Sequence, residues 1–169
     1  MNSLVPQAKG DILVFSDANT TFEPDVLKKL VRYFSNDRIG CVCGKLVLKR
    51  AENSCGGEIE GVYWKYENFL KQIEGKMGLL LGANGGIYSL RKELFTRFPA
   101  DTIVEDFVIP IAILQKGFKV VFEPEAVAYE DASKSIEEEV VRKKRIGAGD
   151  YQALFLTLPL LDIRNGLAS

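Results

Sequence analysis

The sequence of 169 residues contains no histidine. This absence excludes a Ser-His-Asp triad, a Cys-His nucleophile pair and every metal site built on imidazole ligands. Acid–base chemistry near neutral pH must then come from carboxylates, lysine, tyrosine or cysteine. A metal ion bound by the remaining side chains is expected to be a hard, oxygen-preferring ion such as Mg²⁺ or Mn²⁺.

Cysteine is scarce, and long apolar runs are missing. The three cysteines are an odd number, and no secretory segment is recognisable, so we expect reduced thiols in a cytoplasmic setting. Cys41 and Cys43 lie two apart in a strand-like run and are interpreted as small buried side chains. No apolar run reaches the roughly 18 residues that cross a bilayer, so the chain as given is expected to be soluble.

The net charge of −1 carries no signal for nucleic acid, and the alternation of elements indicates an α/β protein. The apolar run Ile12–Phe15 predicts a strand buried on both faces, as in a parallel sheet. A helix from about residue 22 to 36 and a strand over 39–48 complete a predicted βαβ unit with a right-handed crossover.

The rest of the chain continues the alternation of helices and strands. Gly75 and Gly78 are predicted to end the second long helix, and Gly117 to cap a later one. Ser135 with Glu138 three residues on predicts the start of the last helix. The remaining predicted elements are helices over 59–73, 91–98 and 105–116 and strands over 87–90, 118–122 and 126–129.

Two pairs of polar residues stand where ligands bind α/β sheets. Asp17 and Asn19 follow the first strand, where two oxygen-bearing groups suit a metal ion on a diphosphate. The alternative is an ordinary turn of turn-forming residues. Glu105 and Asp106 stand at a predicted helix start, either as a general base with its neighbour or as acids that complement the helix dipole.

Three further features allow both a functional and a structural interpretation. Arg142 and Arg145 share a helix face that can clamp a phosphate or pair with acids of the same helix, Glu138 and Glu139. The turn Gly82-Ala83-Asn84-Gly85-Gly86 allows close approach of the backbone to a ligand, although such turns are common. The aromatic side chains of one helix either stack on sugars or pack in the core: Tyr63, Trp64, Tyr66 and Phe69.

The order and spacing of these features resemble family 2 glycosyltransferases, which include cellulose, chitin and hyaluronan synthases and many bacterial exopolysaccharide enzymes. The resemblance covers nearly the whole chain. Residues 8–19 with Pro24-Asp25 resemble the metal-binding region, 82–91 the acceptor-side glycine turn, and 104–106 the Glu-Asp base motif, while 142–146 lies where processive members carry Gln-x-x-Arg-Trp.

The resemblance implies a GT-A fold with a mixed, mostly parallel sheet flanked by helices. It implies transfer of a sugar from a nucleotide sugar, most simply a UDP-sugar, to a hydroxyl of a saccharide or lipid-linked acceptor, with inversion and with Mg²⁺ or Mn²⁺. The implied roles are metal binding by Asp17 and Asn19, base catalysis by Asp106 beside Glu105, binding of the donor diphosphate by Asp17, Arg142 and Arg145, and acceptor binding by Gly82, Ala83, Asn84, Gly85 and Trp64.

The sequence departs from the family pattern at two positions. Asn19 replaces an acidic ligand, which predicts weaker metal binding, and Ile146 replaces the stacking tryptophan of processive members. The resemblance also implies a fragment that lacks a preceding nucleotide-binding part and following membrane helices. Residues 1–152 are then the catalytic portion, and 153–169 an amphipathic segment leading to the membrane.

Such a fragment is expected to be inactive alone and to self-associate through an open sheet edge. The full-length protein is expected at the cytoplasmic face of the membrane. Two alternatives remain at this point: a binding domain that keeps the fold without catalysis, and a nucleotidyltransferase with a similar βαβ start.

Overall fold

The computed structural model describes residues 1–49, 57–131 and 135–157, with the side chains of all of these except 57–65, 136, 156 and 157. The strands are β1 Ile12–Phe15, β2 Thr21–Phe22, β3 Ile39–Lys49, β4 Tyr88–Arg91 and β5 Lys119–Asp131. The α-helices are α1 Val26–Val31, α2 Gly57–Met77, α3 Glu105–Gln115 and α4 Ile136–Thr157. Single 3-10 turns form at Val5–Gln7, Arg32–Ser35 and Lys92–Leu94.

The strands form one mixed sheet in the order β1-β4-β3-β5-β2, which agrees with the predicted α/β class. Its parallel share is smaller than predicted: among the five described strands, β3 and β5 pair in parallel and the other three pairs are antiparallel. β1 and β3 both run antiparallel to β4, so they are parallel to each other with β4 between them. β1 therefore lies at an edge of the described sheet, where Val14 is 37% exposed, rather than in its middle.

Two apolar cores cover the two faces of the sheet. Alternate residues of β3 serve each core: Cys41 and Cys43 pack on one side, and Val42 on the other. Both cysteines are free and fully buried, which confirms their interpretation as core side chains. Burial raises the pKa of Cys41 well above its ordinary value and that of Cys43 to about 11, so both thiols are protonated at neutral pH. Cys55 lies outside the described residues.

β5 is a single long strand where the sequence predicted two. The register with β3 shifts so that Gly44 pairs with Glu123 and Lys45 with Val127. Pro124 therefore sits in a bulge, where its missing N–H costs no ladder hydrogen bond. The predicted break between the strands is this bulge.

The ends of the helices follow glycine and serine signals. Gly78 and Gly117 adopt positive φ angles of 74° and 81°, as expected for residues that close α2 and α3. Gly75 does not end α2, contrary to the prediction, because the helix continues to Met77. Ser135 Oγ accepts a hydrogen bond from the N–H of Glu138 at 3.2 Å, which confirms the predicted start of α4.

Two predictions about helices turned out differently or remain open. The predicted helix over 91–98 is reduced to the 3-10 turn Lys92–Leu94. Helix α4 continues past residue 152 to Thr157, while 158–169 lie outside the described residues, so the proposed division there stays a prediction. No helix in the described part of the chain is both long and apolar enough to cross a membrane.

Candidate active site

A cleft of about 910 Å³ opens where β1, β3 and β5 end and β4 begins. This is the edge of the sheet at which α/β proteins bind ligands. Asn19 does not line the cleft, and the side chain of Trp64 lies outside the described residues. The other predicted site residues all line it: Asp17, Gly82, Ala83, Asn84, Gly85, Glu105, Asp106, Arg142 and Arg145.

The glycine turn separates the two central carboxylates. A Cβ at Gly85 would lie 3.1 Å from Asp106 Oδ2, and a Cβ at Gly86 would lie 3.7 Å from Asp17 Oδ2. A side chain at position 85 would crowd Asp106, and one at position 86 would lie 2.9 Å from Thr20 Oγ1, so glycine lets the backbone pass between these groups. The N–H of Ala83 also donates to the carbonyl of Asp106 at 2.8 Å, which fixes the turn to the start of α3.

Asp106 occupies the first turn of α3 and has an unusual proton affinity. Its pKa is raised to about 6, mainly by burial and then by the charge of Glu105. The charge of Lys71, the N–H of Asp106 itself and the N–H of Gly85 act in the opposite direction. A carboxylate of this pKa is ionised at neutral pH and is still basic enough to accept a proton from a hydroxyl in a transition state.

Lys71 is a site residue that the sequence reasoning missed. It lies on α2, lines the cleft, and its side chain is only 12% exposed. Its Nζ donates to Asn84 Oδ1 and pairs with Glu67 Oε1 at 3.2 Å. The available signal was a lysine one turn after an acid in an aromatic-rich helix, which is also the pattern of an ordinary solvent-facing pair.

Asn84 is held from several sides. Its Nδ2 donates to the carbonyl of Gly44 at 2.7 Å, and its backbone N–H donates to Cys43 Sγ at 3.1 Å. With Lys71 on Oδ1, the buried amide supports the glycine turn. Its predicted contact with an acceptor stays a prediction.

The residues after β1 fit a metal ion only with help from a ligand. Asn19 Nδ2 donates to Glu130 Oε1 at 2.7 Å, which leaves Asn19 Oδ1 and the exposed Asp17 carboxylate as oxygen donors. Within residues 1–49, 57–131 and 135–157, no three acidic or cysteine side chains gather closely enough to hold a metal ion. This donor set suits Mg²⁺ or Mn²⁺, which are commonly held by one or two protein oxygens together with phosphate oxygens and water.

The two arginines of α4 differ in their contacts. Arg142 donates hydrogen bonds to both carboxylate oxygens of Glu139 at 3.0 Å, as the structural alternative predicts, and its contact with a phosphate stays a prediction. Arg145 lies one turn further along, is exposed and lines the cleft. A phosphate would have to displace Glu139 to bind Arg142 in the same way, whereas Arg145 faces the cleft without that contact.

The aromatic helix keeps two of its rings in solvent. Tyr66 and Phe69 are 58% and 57% exposed, so core packing does not account for them. The side chains of Tyr63 and Trp64 lie outside the described residues. Stacking of a sugar on this helix stays a prediction.

Sequence comparison relates the chain to sugar-transferring enzymes. The family described as glycosyl transferase family 21 matches residues 1–147. An N-acetylglucosaminyltransferase of Rhizobium meliloti (strain 1021) is 23% identical over 93% of this chain. Another, from Rhizobium sp. (strain N33), is 25% identical over 73% of it. The chain spans only 40% and 30% of these relatives.

Solved structures share the fold. A mannosyltransferase from Pyrobaculum calidifontis in complex with GDP-Man and Mn²⁺ superposes on 99% of this chain with a TM-score of 0.72 and 20% identity. Glucosyl-3-phosphoglycerate synthase from Mycobacterium tuberculosis covers 89% of the chain with a TM-score of 0.54 and 17% identity. The chain covers 44% and 52% of those two proteins. The predicted GT-A fold is thereby confirmed.

Proposed function

The chain belongs to glycosyl transferase family 21, and we propose that it forms part of an enzyme that transfers a sugar from a nucleotide-diphosphate sugar to a hydroxyl acceptor. The observation that carries the proposal is the pair Asp17 and Asp106, which face one cleft on either side of a glycine turn. Membership of family 2, which the sequence motifs resemble, stays a prediction.

The reaction proceeds by direct displacement with inversion. The carboxylate of Asp106 takes the proton of the acceptor hydroxyl as its oxygen forms a bond to the anomeric carbon. The bond from that carbon to the diphosphate oxygen breaks on the opposite side, and the diphosphate leaves with the electron pair. Burial supports this role, because it raises the pKa of Asp106 to about 6 and so keeps the carboxylate basic.

The negative charge that develops on the leaving diphosphate is neutralised on the opposite side of the cleft from Asp106. Asp17 in the cleft, together with Asn19 Oδ1 two residues later in sequence, would hold Mg²⁺ or Mn²⁺, and the metal would neutralise charge on the diphosphate when bound. Arg145 contributes a guanidinium from α4. The Pyrobaculum mannosyltransferase, which was solved in complex with GDP-Man and Mn²⁺, supports a nucleotide sugar with a divalent metal ion as the donor ligand.

The donor is proposed to be a UDP-sugar and the product a polysaccharide or glycolipid. The N-acetylglucosaminyltransferases among the relatives make UDP-N-acetylglucosamine the first donor to test. The full-length enzyme is proposed to act at the cytoplasmic face of the membrane. Helix α4 exposes apolar side chains, among them Val141 and Phe155, and carries basic residues at 142–145, which suits a helix that lies at such an interface.

The test is donor turnover by the full-length protein in membranes. A panel of UDP- and GDP-sugars is supplied with Mg²⁺ or Mn²⁺ and a saccharide acceptor mixture, and nucleoside diphosphate release is followed. We expect release with one donor and a loss of about 10²- to 10⁴-fold in Asp106→Asn, the range for general-base catalysis. Asp101→Asn is the matched control, because Asp101 is an exposed acid that does not line the cleft.

The outcomes separate the parts of the proposal. Release that survives Asp106→Asn would show that another group is the base. Pyrophosphate release would indicate a nucleotidyltransferase, and nucleotide binding without any release would indicate a non-catalytic binding domain. Inversion is checked by the anomeric proton signal of the first product formed from an α-linked donor.

A further inference from the structure

We propose that Lys71 is a positioning residue, which holds Asn84 and the glycine turn in place and keeps a positive charge beside Asp106 so that this carboxylate stays ionised. The catalytic meaning of the inference rests on the proposed function. Its electrostatic part concerns residues of this chain alone and is testable without turnover.

Lys71 is the central member of a series of contacts that runs from Glu67 through Lys71 and Asn84 to Gly44. The ammonium contacts Glu67 one turn earlier on α2 and Asn84 Oδ1 across the cleft. The nitrogen of the same amide is committed to the carbonyl of Gly44, so the amide cannot reverse without losing both bonds. Lys71 thus ties α2 to the residue that immediately precedes Gly85 and Gly86.

The burial of Lys71 shows that its position is specific. A lysine ammonium normally extends into water, and removing it from water is costly unless it is paired and hydrogen-bonded. Here the side chain is 12% exposed, with a carboxylate and an amide oxygen as partners. Lys76, on the same helix five residues later, is exposed and does not line the cleft.

The groups around Asp106 favour its protonated form, so a nearby cation is needed to keep the carboxylate ionised. Most neighbouring groups are acidic or neutral: burial and then the charge of Glu105 raise the pKa of Asp106, and burial keeps Cys43 and Tyr88 protonated. Lys71 acts against these influences and lowers that pKa. Two buried groups, Cys43 and Tyr88, interact electrostatically with Asp106 from outside the cleft. The titratable or charged side chains that line the cleft with Asp106 are Asp17, Glu67, Lys71, Glu74, Glu105, Glu130, Arg142, Lys143, Arg145 and Asp150.

The experiment measures the protonation of Asp106 directly. The 169-residue chain is labelled with ¹³C at the aspartate carboxyl carbons, and the signal of Asp106 is identified by its loss in Asp106→Asn. The midpoint of its titration is then compared in Lys71→Met, Lys71→Arg and Lys76→Met. Lys71→Met removes the charge and keeps the length of the stem, Lys71→Arg keeps the charge, and Lys76→Met removes a charge from the same helix outside the cleft.

We expect Lys71→Met to raise the midpoint from about 6 by roughly one pH unit or more. Lys71→Arg and Lys76→Met should leave it close to the original value. An unchanged midpoint in a folded Lys71→Met chain would overturn the inference. If Lys71→Met does not fold, Lys71→Gln is used. Failure of both, with Lys71→Arg folded, would also overturn it, because the lysine would then serve the fold rather than the base.

A second readout joins the inference to catalysis. In the full-length enzyme, kcat/KM falls on the acidic side as Asp106 becomes protonated. In Lys71→Met this fall should shift to higher pH by the same number of pH units as the carboxyl midpoint. A purely structural role would lower kcat at every pH and leave the position of this fall unchanged. A shifted carboxyl midpoint in a protein that turns over no donor would refute the proposed function and leave the electrostatic inference standing.

Discussion

At the scale of single residues, Asp106 is held in a state that costs stability. Burial and the adjacent Glu105 raise its pKa from 3.8 to about 6. Between these two values the folded chain retains a proton that the unfolded chain has released. Stability therefore falls as the pH rises through this window, and the full cost applies above pH 6.

Asp106→Asn should accordingly stabilise the chain at neutral pH. We expect the free energy of unfolding to rise by roughly 1–3 kcal/mol at pH 7.5 and to match the wild type near pH 4, because each pH unit of displacement corresponds to about 1.4 kcal/mol. Urea unfolding at the two pH values measures the difference. Asp101→Asn, at an exposed acid, should show no such gain, and an equal gain there would mean that net charge is responsible.

The neighbours of Asp106 show why a motif does not by itself define a role. Arg142 and Arg145 lie three residues apart on the same helix face, and the sequence does not distinguish them. In the structure, Arg142 is paired with Glu139 and Arg145 is exposed in the cleft. Asn84 was expected to meet the acceptor, and its side-chain amide is occupied by Lys71 and Gly44. Such assignments depend on which partner lies nearest in space, and local sequence does not contain that information.

At the scale of elements, α2 depends on a glycine for its closeness to the sheet. A Cβ at Gly75 would lie 2.6 Å from the backbone nitrogen of Phe122 in β5. The helix thus packs directly against the strand. This close contact fixes the distance between α2 and the sheet, and with it the position of Lys71, which lies one turn earlier and lines the cleft. Helix propensity alone would favour alanine at position 75 by about 1 kcal/mol.

Gly75→Ala should destabilise the chain in spite of that propensity. The new methyl group meets backbone atoms that cannot move aside, and we expect a loss of about 1–3 kcal/mol in the free energy of unfolding. Gly147→Ala in α4 is the matched control, because no atom lies within 4 Å of its Cβ position. That substitution should stabilise by up to about 1 kcal/mol. Equal effects at both positions in urea unfolding would contradict the packing argument.

At the scale of the whole molecule, the bulge in β5 holds a buried charge, Glu123, that does not line the cleft. Glu123 is 1% exposed, and its carboxylate accepts hydrogen bonds from Arg32 and from the N–H of Glu125. Burial acts to raise its pKa, but the N–H of Glu125, the Tyr33 hydroxyl and Arg32 together leave that pKa lowered. This ion pair joins the 3-10 turn after α1 to the sheet over 91 residues of sequence.

Arg32→Met should therefore destabilise the chain by about 1–3 kcal/mol, because it leaves a buried carboxylate without its cation. The stabilisation from a carboxylate of lowered pKa is present above its ordinary value of 4.5 and is lost as the pH falls through the folded value. The difference from wild type in urea unfolding should thus narrow below pH 4.5. Arg38→Met, at an exposed arginine, is the control and should differ little from wild type.

Much of the local structure was predictable from sequence because its causes are local. The apolar run of β1, the long strand β3, the glycine cap of α3 and the serine start of α4 all appear where the pattern predicted them. The motif order was also sufficient to predict a GT-A glycosyltransferase fold. Asp17, Glu105 and Asp106 were selected as site residues for the same reason, since they occupy the ends of elements that local signals define.

Only the tertiary structure decided how those elements meet. The insertion of β4 between β1 and β3, the joining of two predicted strands into β5, and the turn of Asn19 toward Glu130 depend on contacts between distant segments. Lys71 belongs to the same group, because its partner Asn84 lies 13 residues away across the cleft. Periodicity and capping report on neighbours within one or two turns, whereas strand order and buried hydrogen bonds are selected by the packing of the whole chain.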